Sequence, residues 1–225
     1  MKTVLVYRND LLPLSEVFIK EQVMALRDWR PVLVGRRVLD QLPLDDLDIR
    51  IVDQQQSAQT LIGKIRRAFG IVSTRTKREL EAENPQLVHA HFGTDALDAW
   101  PISRALDLPM LVTLHGYDIN IRRQWWEEGN LGLRMRSYPR RLLQLAQQSR
   151  VTFTAVSHAL RRRAIEFGIP PQKIQVNYIG IDVRKFRPAE LPIAQRPPHV
   201  LFVGRLVEKK GCRYLIEAMS RLLRG

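Results

Sequence analysis

Short apolar runs alternate along the chain with longer stretches whose apolar residues recur every three or four positions. The short runs predict strands at Thr3–Tyr7, Pro31–Gly35, Ile49–Val52, Gln86–His91, Met110–His115, Val151–Ser157, Lys173–Tyr178 and His199–Val203. Most are rich in Val, Leu and Ile without strict alternation, as expected for strands buried on both faces of a parallel sheet. Ile19, Val23 and Leu26, at i, i+4 and i+7, predict a helix over about 15–28. A second helix is expected over about 60–83, interrupted near Gly70. A third runs over 94–108, where Pro101 should kink it or mark its true first turn. Ser137-Tyr-Pro139 reads as an N-cap followed by an early proline, opening a helix that turns Leu142, Leu145 and Ala146 inward. Ser157 should cap a helix with Leu160, Ala164 and Phe167 inward, stopped by Gly168 and then Pro170. Strand and helix in alternation is the pattern of a doubly wound α/β sheet.

The stretch Asp182–Pro198 breaks that rhythm. It holds Pro188, Pro192, Pro197 and Pro198 and has no apolar period, so it reads as a linker. The expected organisation is a first domain over 1–182, a linker over 183–198, and the start of a second domain over 199–225. That second unit opens with a run from Val200 to Met219 that reads as a buried strand, a turn carrying Gly204, Arg205 and Lys210, and a helix with Leu215, Met219 and Leu222 on one face. Fixed cations and free backbone N–H groups aimed at one point suit a diphosphate. The sequence reaches only one strand and one helix into this unit. The apolar face of the tail is therefore expected to lack a covering sheet and to be mobile or to drive association.

Composition narrows the class. The 225 residues are 45% hydrophobic and 26% charged, with a single cysteine, Cys212. An internal disulfide is therefore excluded, and the pattern fits a reducing compartment. The first apolar run is too short for a signal peptide, and no segment has the ~18 uninterrupted apolar residues of a membrane span. A cytoplasmic or peripheral protein is expected. Lys and Arg number 36 against 23 Asp and Glu, a net charge of +13. The basic residues cluster at Lys64/Arg66/Arg67, Arg75/Lys77/Arg78, Arg134/Arg136/Arg140/Arg141 and Arg161/Arg162/Arg163. Such a chain should attract acidic lipid or phosphorylated ligands. No helix-turn-helix, zinc-knuckle or aromatic-basic RNA signature accompanies the charge, so nucleic acid is not expected as a partner.

In an open α/β sheet, ligands bind beyond the carboxyl ends of the strands. Three segments place polar groups there: His89-Ala-His91-Phe-Gly93, Thr113-Leu-His115-Gly116-Tyr-Asp118, and Ala155-Val-Ser157. His89 reads as a satisfied core histidine. His115, at a strand end before Gly116, reads as functional, with His91 and Asp118 as neighbours. A metal site built from His89, His91, His115 and Asp118 is an alternative, and would make the chain a metal hydrolase. The loop after the first strand, Arg8 to Glu16, lacks G-x-G-x-x-G, and neither a P-loop nor a G-x-S-x-G nucleophile elbow occurs in the chain. Ser15 reads as an N-cap whose helix end could face a phosphate or a sugar hydroxyl.

Taken in order, these segments resemble the family 4 glycosyltransferases of the GT-B type, particularly those of bacterial exopolysaccharide and lipopolysaccharide synthesis. The resemblance rests on Leu14-Ser-Glu-Val-Phe-Ile19, Val88-His-Ala-His-Phe92, Thr113-Leu-His-Gly-Tyr-Asp118 and Ala155-Val-Ser157. It continues through Ile179-Gly-Ile-Asp182 and Val203-Gly-Arg-Leu-Val-Glu-Lys-Lys-Gly211. It implies two Rossmann-like domains across a cleft, the first on the acceptor side and the second holding a nucleotide-sugar. By this resemblance Arg205 and Lys210, with Gly204, hold the donor diphosphate and neutralise the leaving nucleotide without a metal or other cofactor. His115 matches the family's histidine near the reacting sugar, while Ser15, His91, Gly116, Asp118 and Ser157 line the acceptor side. The family's glutamate pair has no counterpart up to Gly225, and the first loop carries no Gly-Gly. The expected function is retaining transfer of a sugar from a nucleotide donor to a lipid-linked or polysaccharide acceptor at the inner face of the cell membrane. These 225 residues by themselves should be inert or nearly so. A non-catalytic module that binds acceptor or membrane is the alternative.

Overall fold

The computed structural model describes residues 1–52 and 70–223. The chain divides into two compact units, Met1–Gly180 and Ile181–Gly225.

Among the described residues the first unit has seven parallel strands: β1 (Lys2–Tyr7), β3 (Trp29–Gly35), β5 (Ile49–Ile51), β6 (Pro85–His91), β7 (Met110–Leu114), β8 (Val151–Ala155) and β9 (Ile174–Val176). Their order in the sheet is β5-β3-β1-β6-β7-β8-β9. The chain thus lays strands outward on one side of β1, then returns and builds on the other. The turning point is the β1/β6 boundary, and in open α/β sheets such a switch point is where the ligand crevice lies. A separate two-stranded ribbon pairs β2 (Asp10–Leu11) with β4 (Arg37–Val38).

Alternation along each strand feeds two cores. Leu5, Tyr7, Val32 and Val34 face one, with Leu142, Leu145, Phe153 and Ala164. Val4, Val6 and Leu33 face the other, closed by Ile19 and Val23 of α1 (Val17–Met24). Helices α3 (Gly93–Ala105), α7 (Tyr138–Ala146) and α8 (His158–Phe167) supply apolar residues to the first core. A short α2 (Thr74–Glu81) is capped by Ser73, whose hydroxyl accepts from the Thr76 N–H. The fold is α/β, with helices on both faces of a parallel sheet.

Several expectations need correction. The strand expected at His199–Val203 does not form, and no described strand lies beside it to complete a ladder. Ser15 is not an N-cap; it lies exposed inside a 3-10 turn, Leu14–Glu16, and α1 starts after Glu16 with no side-chain cap. Pro101 does not mark the first turn of α3, since the helix is continuous from Gly93 to Ala105. Only one N–H is lost there, and the half-buried ring finds room beside Gly70. Ser137 precedes α7, but its hydroxyl donates to the Arg134 carbonyl instead of capping. Three short helices went unpredicted: α4 (Tyr117–Asn120), α5 (Arg123–Glu127) and α6 (Leu133–Arg136). Four or five residues are too few to display a helical period. Of the helix expected over 60–83 with a break near Gly70, residues 60–69 and the Lys64/Arg66/Arg67 cluster lie outside the described residues, and the part after Gly70 forms as α2.

In the second unit, α9 (Cys212–Leu222) forms as expected, behind a 3-10 turn at Glu208–Lys210 and a left-handed Gly211. None of its described residues is buried; Leu222 is 75% and Tyr214 64% exposed. No helix among the described residues is long and apolar enough to cross a membrane.

Candidate functional site

The crevice at the β1/β6 boundary is lined by the first residues after three strands. Arg8 and Asn9 follow β1, Phe92 and Gly93 follow β6, and His115 and Gly116 follow β7. Two of these turns demand unusual backbone. Gly116 adopts φ 118°, open only to glycine at low cost. Phe92, not a glycine, is held at φ 68° as the chain swings from β6 into α3. Strain of this kind persists only where the surroundings fix it.

Asp118 is what fixes them. Its carboxylate is fully buried and accepts 2.9 Å hydrogen bonds from the Gly93 N–H on one oxygen and the Gly116 N–H on the other. The Tyr138 hydroxyl donates to the Asp118 carbonyl at 2.9 Å. Burial pushes the Asp118 carboxyl up to about 6, partly opposed by those backbone donors. Expected to line the cleft, Asp118 instead lies behind it and ties the β6 and β7 loops together.

The three strand-end histidines sit in one stack. His89 and His91 have ring centroids 4.4 Å apart, and His91 and His115 5.2 Å apart. His89 is a satisfied core residue: its Nε2 lies 2.8 Å from the Thr113 hydroxyl, which lies 2.9 Å from that of Thr154. His91 is completely buried, and its Nδ1 is 3.0 Å from Nε2 of the partly exposed His115. His115 also packs against Phe18 and Phe92. Burial lowers His89 to about 4, His115 to about 3, and His91 well below the usual imidazole range. All three are therefore neutral near pH 7. Among the described residues no group of three His, Cys, Asp or Glu is placed to hold a metal ion. The metal-hydrolase alternative therefore finds no support in this geometry.

Beside the histidines lies a network that the sequence did not announce. The Arg8 guanidinium makes a bidentate pair with Glu16, 2.7 Å at both nitrogens, and also pairs with Asp95 on α3. It lies over the Phe92 ring, 4.6 Å from its centroid. Burial opposes its charge, but Glu16 and Asp95 overcome that and raise its pKa. The Asn9 N–H donates to Asp95 at 2.8 Å and the Asn9 amide to Asp98 at 2.9 Å. Asp98 also pairs with Arg134, and Arg36 approaches it at 3.7 Å. Three arginines thus balance three carboxylates, and each guanidinium nitrogen of Arg8 donates one of these bonds.

That arrangement has a chemical preference. The first N–H of α3 is taken by the Asp118 carboxylate, and Asp95 lies in the first turn of that helix. A phosphate there would meet like charge, whereas sugar hydroxyls, which both donate and accept, suit such a surface. Of the remaining expected residues, Ser157 caps α8, accepting from the Leu160 N–H at 3.1 Å. Gly204, Arg205 and Lys210 lie exposed together in the second unit, near the 3-10 turn that leads into α9.

Comparison with known proteins fits this architecture. The sequence model of Glycosyltransferase Family 4 matches residues 17–185. The chain belongs to that family. TuaC of Bacillus subtilis strain 168, a glycosyltransferase named for teichuronic acid biosynthesis, is 30% identical over 69% of this chain and 39% of its own length. Among solved structures, HepE of Anabaena in complex with UDP and glucose superposes with a TM-score of 0.60 at 16% identity, over 84% of this chain and 48% of that one. Sucrose-phosphate synthase of Thermosynechococcus elongatus gives 0.63 at 14% identity, over 98% and 60%. These likenesses establish the GT-B glycosyltransferase fold. The chain spans 15 to 39% of the length of the curated relatives it matches.

Proposed function

We propose that this chain supplies the acceptor side of a glycosyltransferase that moves a sugar, with retention, from a nucleotide-sugar to a lipid-linked or polysaccharide acceptor. The observation that carries the reading is the charge-balanced crevice at the β1/β6 boundary. Arg8, Glu16, Asp95 and Asn9 there favour hydroxyl groups over phosphate, beside the neutral His115. His115 contacts the reacting sugar or the acceptor hydroxyl. The donor diphosphate belongs to Arg205 and Lys210, with Gly204 allowing close approach and no metal needed. A nucleotide-sugar donor is supported by family membership and by the UDP and glucose in the Anabaena relative. Ser15 and Ser157, at the openings of the adjoining helices, flank the acceptor. The enzyme works at the cytoplasmic face of the membrane, where the net charge of +13 draws it to anionic lipid.

Amide chemical-shift mapping on the 225-residue chain tests the division of labour. A saccharide acceptor mimic should perturb Glu16, Asp95, Gly116 and His115, while UDP should leave them unmoved and act on Gly204 to Lys210. UDP shifting the β1/β6 crevice, with no response to saccharide, would overturn the assignment.

A further inference from the structure

Between β7 and α7 the chain leaves apolar side chains in the open. Leu133 is 81% exposed, Tyr117 45% and Leu131 44%, and Trp125 is half-buried. Tyr117 and Trp125 both meet the buried Trp126 ring edge-on, at 5.8 and 5.6 Å, so each is anchored to a core residue. The Asn130 amide donates to the Trp125 carbonyl and Arg136 to the Glu127 carbonyl, each at 2.9 Å. These bonds join α5, the loop after it and α6 into one corner. Gly129 and Gly132 take φ 84° and 88°, a conformation that favours glycine, and a Cβ on Gly132 would meet nothing within 4 Å. Leu131 and Leu133 flank that open turn.

The same corner is cationic. From Arg122 to Arg141 there are six arginines against two glutamates. Arg123 is taken up by Glu127 and Arg134 by Asp98. Arg122 and Arg140 lie exposed and pair with no carboxylate among the described residues. Cations set among open Leu, Tyr and Trp side chains suit a bilayer surface, where aliphatic groups reach the acyl boundary, aromatic rings lie at headgroup level and arginine meets lipid phosphate. A nucleic acid or a soluble anion would satisfy the arginines and leave both leucines in water.

We propose that the corner formed by residues 117–140 is the face by which this chain docks on an anionic bilayer, with Leu131 and Leu133 inserted and Arg122 and Arg140 on lipid phosphate. The inference rests on the reading of a membrane-borne acceptor, and narrows it from the charge of the whole chain to one face. That face adjoins the crevice. Helix α4 begins directly after Gly116, and Arg134 reaches the Asp98 carboxylate that also holds the Asn9 amide. An acceptor anchored in the bilayer could then enter the crevice with its lipid still in place.

Co-sedimentation of the 225-residue chain with vesicles tests this, using phosphatidylcholine alone or mixed with phosphatidylglycerol. Binding is expected to the mixed vesicles only. Leu131→Ser with Leu133→Ser, and separately Arg122→Gln with Arg140→Gln, should each weaken it by roughly tenfold or more. All four side chains are exposed, so the far-UV circular dichroism should not change. Arg78→Gln with Arg162→Gln removes equal charge from exposed positions elsewhere and should stay within roughly twofold of the unmodified chain. An equal loss in that control would spread the attraction over the whole surface and overturn the assignment. Equal binding to both kinds of vesicle, or to neither, would also overturn it. Unchanged vesicle binding by the leucine variant, with loss of self-association in light scattering, would reassign the face to a contact between copies. None of these readouts needs sugar transfer, so their failure leaves the glycosyltransferase assignment standing.

Discussion

Asp118 and the three histidines show how burial converts ordinary side chains into site architecture. Replacing Asp118 with Ala strips partners from the Gly93 and Gly116 N–H groups. Each buried unsatisfied donor costs about 1–3 kcal/mol, so a loss of about 3 kcal/mol in urea unfolding is expected. The histidines add a pH dependence of definite sign. Their folded pKa values lie below the unfolded value near 6.5, so the unfolded chain binds more protons on acidification. Stability should fall as pH drops below about 6.5, by up to about 1.4 kcal/mol per unit for each histidine. Asp118 works the other way, because its raised pKa makes the fold take up a proton between about 6 and 4. Asp95, also raised by burial, acts with Asp118. The three histidines against these two carboxyls still leave a net loss on acidification, and a urea midpoint that is flat between pH 7 and 5 would exclude it. His115, His91 and Asp118 could be picked out because each stands where a strand runs out. Arg8, Glu16 and Asp95 escaped notice as a group because their pairing spans up to 87 residues and no local pattern encodes it.

At the scale of elements, the close approach of α3 and α7 sets the shape of the crevice. A Cβ on Gly93 would lie 2.5 Å from the Tyr138 hydroxyl oxygen and 3.2 Å from Leu142. Gly93→Ala should therefore push Tyr138 off the Asp118 carbonyl and cost about 1–3 kcal/mol, read as a lowered Tm. Ser157→Ala removes a true cap and should cost about 1 kcal/mol with little change elsewhere. The longer strands and the capped helix α8 were legible because apolar period, cap and left-handed Gly168 agree. Ser15 misled, since a serine before an apolar run signals a cap only if the backbone opens there, and Pro13 sets a tight turn instead.

For the whole molecule, the two units differ in what holds them. Met1–Gly180 has two apolar cores, whereas the described residues from 181 onward include none that is buried. An 11-residue helix without tertiary cover is marginal in water. Amides of α9 should therefore exchange orders of magnitude faster than those of β1 and β6, and equal protection would show that the tail is covered in solution. Within the first unit, Arg8→Met leaves Glu16 and Asp95 buried without their cation. A loss of about 3–5 kcal/mol is expected in denaturant unfolding.

The strand order also dictates when the crevice can exist. β1 is made first but lies inside the sheet, and the strand that closes its second edge, β6, begins only at Pro85. A nascent chain therefore carries Val4, Leu5 and Val6 on an open edge while more than 80 residues are added. Contacts this far apart in sequence form slowly. A piece ending before β6 should self-associate during synthesis or refolding, and one that includes it should not.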